Sequence, residues 1–189
     1  MPVTAANYLQ RAFDRYPVAW DEAPFIYRTL NFSRNKVALD LDLTIQEDFD
    51  LSNKPAYVQL SNNFVAVRRV YLIGDVYQYL LVRKPSLFEP VQLTSKPLAY
   101  VLKSPNRVYL LPQQYVIDEE KLRVVYVPSL PELTTLEDVE TYLPETVLEL
   151  VALQICVRLA ENDLQYALKA YFENEYKLLC MSYTAKGAF

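Results

Sequence analysis

The side chains that most often perform catalysis are scarce or missing in this chain. None of its 189 residues is histidine, which removes the usual general base, the commonest metal ligand and the side chain that titrates near neutrality. Serine nucleophiles therefore have no imidazole to activate them, and nothing in the spacing marks a serine–lysine pair. The only glycines, Gly74 and Gly187, cannot write a phosphate-binding loop. Cys156 and Cys180 are too few for a zinc cluster. They sit in apolar, helix-like sequence and read as buried free thiols of a reducing compartment. One enzymatic constellation is left, a carboxylate site for a hard divalent ion at Asp118, Glu119 and Glu120. The same run reads more simply as a polar loop ahead of a strand starting at Lys121. Glu137, Asp138 and Glu140 lie in a proline-rich connection, where solvation accounts for them. The expectation is a protein that is not an enzyme, with no metal and no cofactor.

Binding chemistry is better supplied. Arg68-Arg69 and Arg83-Lys84 fall on what read as adjacent hairpin strands, with Tyr77 and Tyr79 alternating nearby, a stacking and phosphate surface suited to single-stranded nucleic acid. Two arguments oppose it. The formal net charge is −4, and strict alternation sends Arg68 and Arg69 to opposite faces of a strand. Charge is also uneven along the chain. Residues 1–53 carry five basic and eight acidic groups, residues 54–123 ten and five, and residues 124–189 four and ten. A basic middle between acidic flanks suits assembly of like with like, basic face on acidic face, although ordinary solvated faces give the same pattern. Sixteen tyrosines point the same way, because tyrosine offers a large apolar body with a polar tip and suits surfaces that are covered part of the time.

The elements that must carry these residues follow from periodicity. Hydrophobic residues make up 52% of the chain, and a fold of this size buries roughly 70% of the surface of its extended chain. Thr4 caps a short helix that runs to Tyr16 before Pro17, and a second helix opens at Asp21 with Ile26, Leu30 and Val37 near one face. From Val37 the apolar residues alternate through Leu39, Leu41, Leu43 and Ile45, which predicts a strand. Further strands are expected at 56–60, 66–73, 76–82, 98–102, 107–111 and 122–127, with Gly74-Asp75 as a two-residue hairpin turn and antiparallel meander connections throughout. Thr146 to Ala160 is apolar nearly all round, so it predicts a helix buried on most sides. After a break at Asn162-Asp163, Leu164, Leu168, Tyr171 and Leu178 mark the buried face of a last helix, with Glu173–Lys177 an i,i+4 pair outside. The expected fold is α+β: helical parts 1–37 and 144–183 packed together, a mainly antiparallel β-rich insertion 38–127, an extended acidic connection 128–143 and a tail 184–189. No run is long enough for a membrane span, and residues 1–16 lack the apolar core of a secretory leader, so an intracellular protein is expected.

This order of elements resembles the head–tail adaptor (connector or neck) proteins of tailed bacteriophages. The resemblance rests on "MPVTAANYLQRAF", Trp20 before an acidic helix start, "KPAYVQLSNNFVAVRRVYL", "SKPLAYVLKSPNRVYLLP", "KLRVVYVPSLPEL" and "YLPETVLELVALQICVRLAENDLQYALKAYFENEYKLL". It covers most of the chain through loose motifs. Where the family often has glycine in its turns, this chain has Ser52-Asn53-Lys54 and Ser104-Pro105-Asn106. The resemblance implies a structural virion protein. Such a protein forms a ring, usually of twelve copies, beneath the portal protein. A tail or nozzle protein lies below it, double-stranded DNA passes without sequence-specific contacts, and no membrane is involved. Tail-terminator or head-closure proteins are the neighbouring alternative; a carboxylate–metal enzyme and a single-stranded nucleic-acid module are the alternatives of another class. Candidate contacts to portal or neighbour are Tyr183, Lys186 and Phe189, in a closing segment expected to order on docking, and Arg68, Arg69, Arg83 and Lys84.

Overall fold

The computed structural model describes residues 2–17, 23–74, 77–87, 97–103, 105–112 and 121–185. Trp20 and the helix start at Asp21, the turn position Asp75, the run Asp118 to Glu120, Lys186, Gly187 and Phe189 lie outside the described residues. The fold is α+β, and the chain divides into two compact units, Met1–Leu43 with Leu130–Phe189, and Thr44–Ser129.

The first unit holds α1 (Ala5–Phe13), α2 (Ala23–Asp40), a 3-10 turn (Glu145–Val147), α3 (Leu148–Asn162) and α4 (Tyr166–Ala185). The nearly all-apolar sequence of α3 has the expected consequence: Leu150 to Val157, Leu159 and Ala160 are buried beneath α1, α2 and α4. The expected strand from Val37 is instead the end of α2. Val37, Ala38 and Leu41 are buried at helical spacing, and Lys36 pairs with Asp40 one turn on. The helix then closes by a Schellman motif. Leu43 N–H reaches the Ala38 carbonyl at 2.9 Å and Asp42 takes φ 54° in the left-handed region. α3 ends the same way, with Gln165 N–H on the Ala160 carbonyl at 2.8 Å and Leu164 at φ 58°. Neither cap uses the glycine this geometry favours. Thr184 and Ala185, expected in the tail, complete α4.

The second unit comprises β1 (Ile45–Asp50), β2 (Tyr57–Gln59), β3 (Phe64–Ile73), β4 (Gln78–Leu80), β5 (Val82–Arg83), β6 (Ala99–Lys103), β7 (Arg107–Leu111) and β8 (Lys121–Pro128). They form two four-stranded sheets, ordered β1-β8-β3-β4 and β2-β7-β6-β5. A meander is therefore ruled out: β8 lies between β1 and β3, and β5 pairs with β6 in parallel. The sheets share one core, with Val70, Leu72, Leu122, Val124 and Tyr126 from the first and Val58, Tyr100, Val108 and Leu110 from the second. Leu81 is buried where the chain leaves one sheet for the other. The β3–β4 register continues to Gly74, whose N–H reaches the Tyr77 carbonyl at 3.0 Å. A Cβ on Gly74 would lie 2.6 Å from the Tyr77 ring, which explains glycine there by space.

Candidate functional site

The basic residues singled out by sequence are not brought together. Arg68 and Arg69 are on β3 in the first sheet, Arg83 is on β5 in the second, and Lys84 follows it. The expected hairpin forms, β3 pairing antiparallel with β4, but it ends at Leu80, and β5, which carries Arg83, joins the other sheet. The alternation argument about Arg68 and Arg69 also fails locally. A β-bulge between Val67 and Arg69 places two residues against one on β8, and both arginines are exposed. Tyr183 lies in α4, half-buried, its hydroxyl donating to the Thr146 carbonyl, so it belongs to the folded unit and not to a segment awaiting a partner. Lys186 and Phe189 lie outside the described residues.

Acidic residues read as solvated turn out to hold the helical unit closed. Glu140 and Arg34 form an ion pair at 2.7 Å with side chains 0% and 1% exposed. Glu140 also accepts the N–H groups of Tyr142 (2.9 Å) and Leu143 (3.2 Å), and Arg34 donates to the Pro131 carbonyl (2.7 Å). Burial alone would raise the Glu140 pKa, but the Arg34 hydrogen bond and charge, with the two backbone donors, hold it below the usual carboxylate range. Asn31 and Asn35, in line with Arg34 on α2, bond the backbone of Leu133 and Leu130. The connection is thereby fastened along one helix face. Asp138 accepts hydrogen bonds from Thr134 and Thr135, which lower it to about 2. The polar run Asn31, Arg34 and Asn35 at helical spacing was the available signal.

Tyrosines take a matching part. Tyr8 donates to Glu140, Tyr126 to Glu47, Tyr176 to Asp40, Tyr16 to Asp163 and Tyr171 to Glu175. In a chain with more acids than bases and no histidine, phenol hydroxyls supply donors for carboxylates. Burial first, and the Glu47 bond second, push Tyr126 up to about 12.

The surface feature that stands apart is on α4. Phe172 and Tyr176 face the core, but Leu168, Tyr171, Leu178 and Met181 are 43%, 53%, 69% and 67% exposed, and Leu164 just before the helix is exposed as well. The stripe expected to be buried is the open face. Glu173 leans towards Lys169 (3.9 Å), not Lys177. Beside the stripe, Glu175 pairs with Arg15 (2.9 Å), which also meets Glu149, itself 2.7 Å from Arg11. A second patch lies on the outer face of the second sheet. Tyr57 and Tyr109 stand 5.0 Å apart, with Arg107 and Lys103 each 5.2 Å from a ring centroid.

Among the described residues no three histidine, cysteine, aspartate or glutamate side chains converge as a metal ion would require, and no helix is long and apolar enough to cross a membrane. Cys156 is buried, its thiol pushed up to about 12 by burial, and Cys180 is half-buried; both are free. Comparison of the sequence with protein-family profiles and with curated proteins finds no match.

Proposed function

We propose that this chain is a structural virion protein, the head–tail adaptor of a tailed phage. Copies of it would ring the channel beneath the portal and carry the next tail component. The observation that carries the reading is the open apolar face of α4. One side of the helix is bedded on α3, while Leu168, Tyr171, Leu178 and Met181 on its other positions are exposed. Patches of that kind mark contact surfaces. The order of elements described above supports the adaptor class in particular. The charge division supports it too: the helical unit carries nine basic and fifteen acidic side chains, a net −6, and the sheet unit ten and eight, a net +2. Opposite signs favour head-to-tail contacts between copies, and a heterologous contact closes into a ring when its rotation permits. An acidic lumen would repel the DNA backbone and let it pass. The test is to mix purified protein with portal rings encoded in the same genome and image them by electron microscopy. Added density beneath the portal is expected, and its loss with Leu178→Glu. Bare portal rings at saturating protein would overturn the reading, and density only on rings already carrying another adaptor would move the chain to the head-closure position.

A second reading is favoured by the Tyr57–Tyr109 pair with its flanking Arg107 and Lys103, a surface that single-stranded nucleic acid could stack on. Fluorescence titration with a labelled oligothymidine at low and physiological salt decides it: no binding at either rejects it.

A further inference from the structure

We propose that the cavity lined by the end of α2, by α3 and by α4 binds a small organic monoanion, a carboxylate carrying a neighbouring hydrogen-bond donor. The inference uses only the helical unit and stands or falls separately from the adaptor reading.

Helical spacing builds the cavity. Lys36 and Asp40 lie one turn apart on α2. Gln154, Val157, Arg158 and Glu161 share one face of α3, and Lys169, Glu173, Tyr176 and Lys177 share one face of α4. This face of α4 is not the one that carries the apolar stripe. The space these residues line measures about 340 Å³, at the lower end of the range for small-ligand sites.

Gln154 is the residue that points to a ligand. It is 7% exposed and sits in the buried run Leu150 to Val157, whose other members are aliphatic residues and one cysteine. Its side chain lines the cavity and forms no hydrogen bond with any described residue. Packing accounts for the rest of that run, but a buried amide without a partner weakens a fold that leucine at the same place would strengthen. The amide can donate through its nitrogen and accept through its oxygen, so it suits a ligand that offers an oxyanion and a hydroxyl side by side.

Charge sets the sign of the ligand. Lys36 is held by Asp40 at 2.5 Å, and Asp40 also accepts the Tyr176 hydroxyl at 2.7 Å. Glu161 serves two bases, Lys169 at 2.6 Å and Arg158 at 2.9 Å, and Arg158 also covers the Phe32 ring at 3.9 Å. Glu173 has only its 3.9 Å contact to Lys169, and Lys177 has no ion pair among the described residues. Four bases therefore face three acids, a net +1, and Lys177 and Gln154 keep hydrogen-bonding capacity to spare. One carboxylate balances that charge. A second negative charge would be repelled by the three acids already present, and Val157 offers the ligand's carbon skeleton an apolar contact.

Lactate is the probe, titrated at constant ionic strength into the isotope-labelled full chain and followed by NMR. The Gln154 side-chain amide signals should shift saturably, with a Kd of about a few millimolar, as so small a ligand allows. Lactamide, which has the same shape without the charge, should not bind. Acetate, which lacks the hydroxyl, should bind about threefold more weakly than lactate. Lys177→Gln, a change at an exposed position, should weaken lactate about fivefold. Gln154→Leu should abolish binding and leave the melting midpoint unchanged or higher, because it replaces the unpartnered amide with an apolar group. Shifts that grow without saturating, equal binding of lactamide and lactate, lactate binding retained in Gln154→Leu, or tighter binding of inorganic phosphate than of lactate would each overturn the proposal.

Discussion

The two units of this chain solve the same burial problem in opposite ways. The sheet unit puts its large aliphatic residues between two sheets and dresses the outside of the first with a cross-strand row. Asp48 and Arg123 face each other on β1 and β8, joined by two 2.8 Å hydrogen bonds, with Tyr71 next in line on β3. The helical unit has a dry helix, α3, at its centre, a charged pair buried at the seam between α2 and the connection, and an apolar stripe left outside. Both units leave apolar side chains exposed, Tyr57, Leu80 and Val82 on the strands and the stripe on α4, and the helical unit also buries a charged pair. The contrast lies in where charge goes, outside the sheets at Asp48–Arg123 and inside the helical unit at Arg34–Glu140.

The largest effect that would break this contrast is at Arg34. Arg34→Met leaves Glu140 buried without its cation, and should cost about 3–5 kcal/mol in urea denaturation; a loss below 1 kcal/mol would show that the connection is not held by the pair. The pH dependence has a definite sign. Because the folded-state pKa of Glu140 lies below its ordinary value, its contribution is complete above the ordinary carboxylate range and is lost as pH falls towards the folded value. Wild type should lose helical stability in that acid window, and Arg34→Met should lose less there. Next in size is Leu110→Ala at the shared core of the two sheets, expected to cost about 3 kcal/mol. A midpoint unchanged by that truncation would mean that the two sheets do not share a tightly packed core.

Leu164→Gly goes the other way. Its left-handed φ of 58° costs a leucine on the order of 1 kcal/mol that glycine does not incur. The variant should therefore be stabler by about that much in dilute solution, and weaker in self-association if the side chain serves a contact.

Legibility divided along the same line as the two units. α3 could be read because an all-apolar helix has one solution, burial on every side. Most strand positions could be read because period-2 alternation sets the faces of a sheet. The order of strands could not, since alternation says nothing about which strand lies beside which, and it gives no sign that the chain crosses at Leu81 from the β3–β4 hairpin to the other sheet before Arg83. The end of α2 misled because Val37 and Leu41 satisfy a helix and a strand pattern equally, and the Schellman closure at Asp42 carries no glycine to announce it. Glu140 was read as solvated because its partner Arg34 is distant in sequence. The α4 stripe was read correctly as a single face and wrongly as a covered one. Periodicity tells which residues point together, and what lies opposite them need not be in the same chain.

That last distinction yields the smallest predicted effect and the sharpest test of the contrast. Leu178 and Phe172 sit on the same helix; Leu178, expected on the buried face, is open, and Phe172 is buried. Phe172→Ala should cost about 3 kcal/mol, because it empties a packed site. Leu178→Ser should change stability by less than about 0.5 kcal/mol at dilute concentration, because in the single subunit its side chain is already 69% exposed. The comparison becomes informative as concentration rises. If the stripe is covered by a second copy, association stabilises the folded state of wild type by mass action. Its melting midpoint should then climb with concentration, while that of Leu178→Ser stays flat. Two flat lines would mean that no second copy covers the stripe.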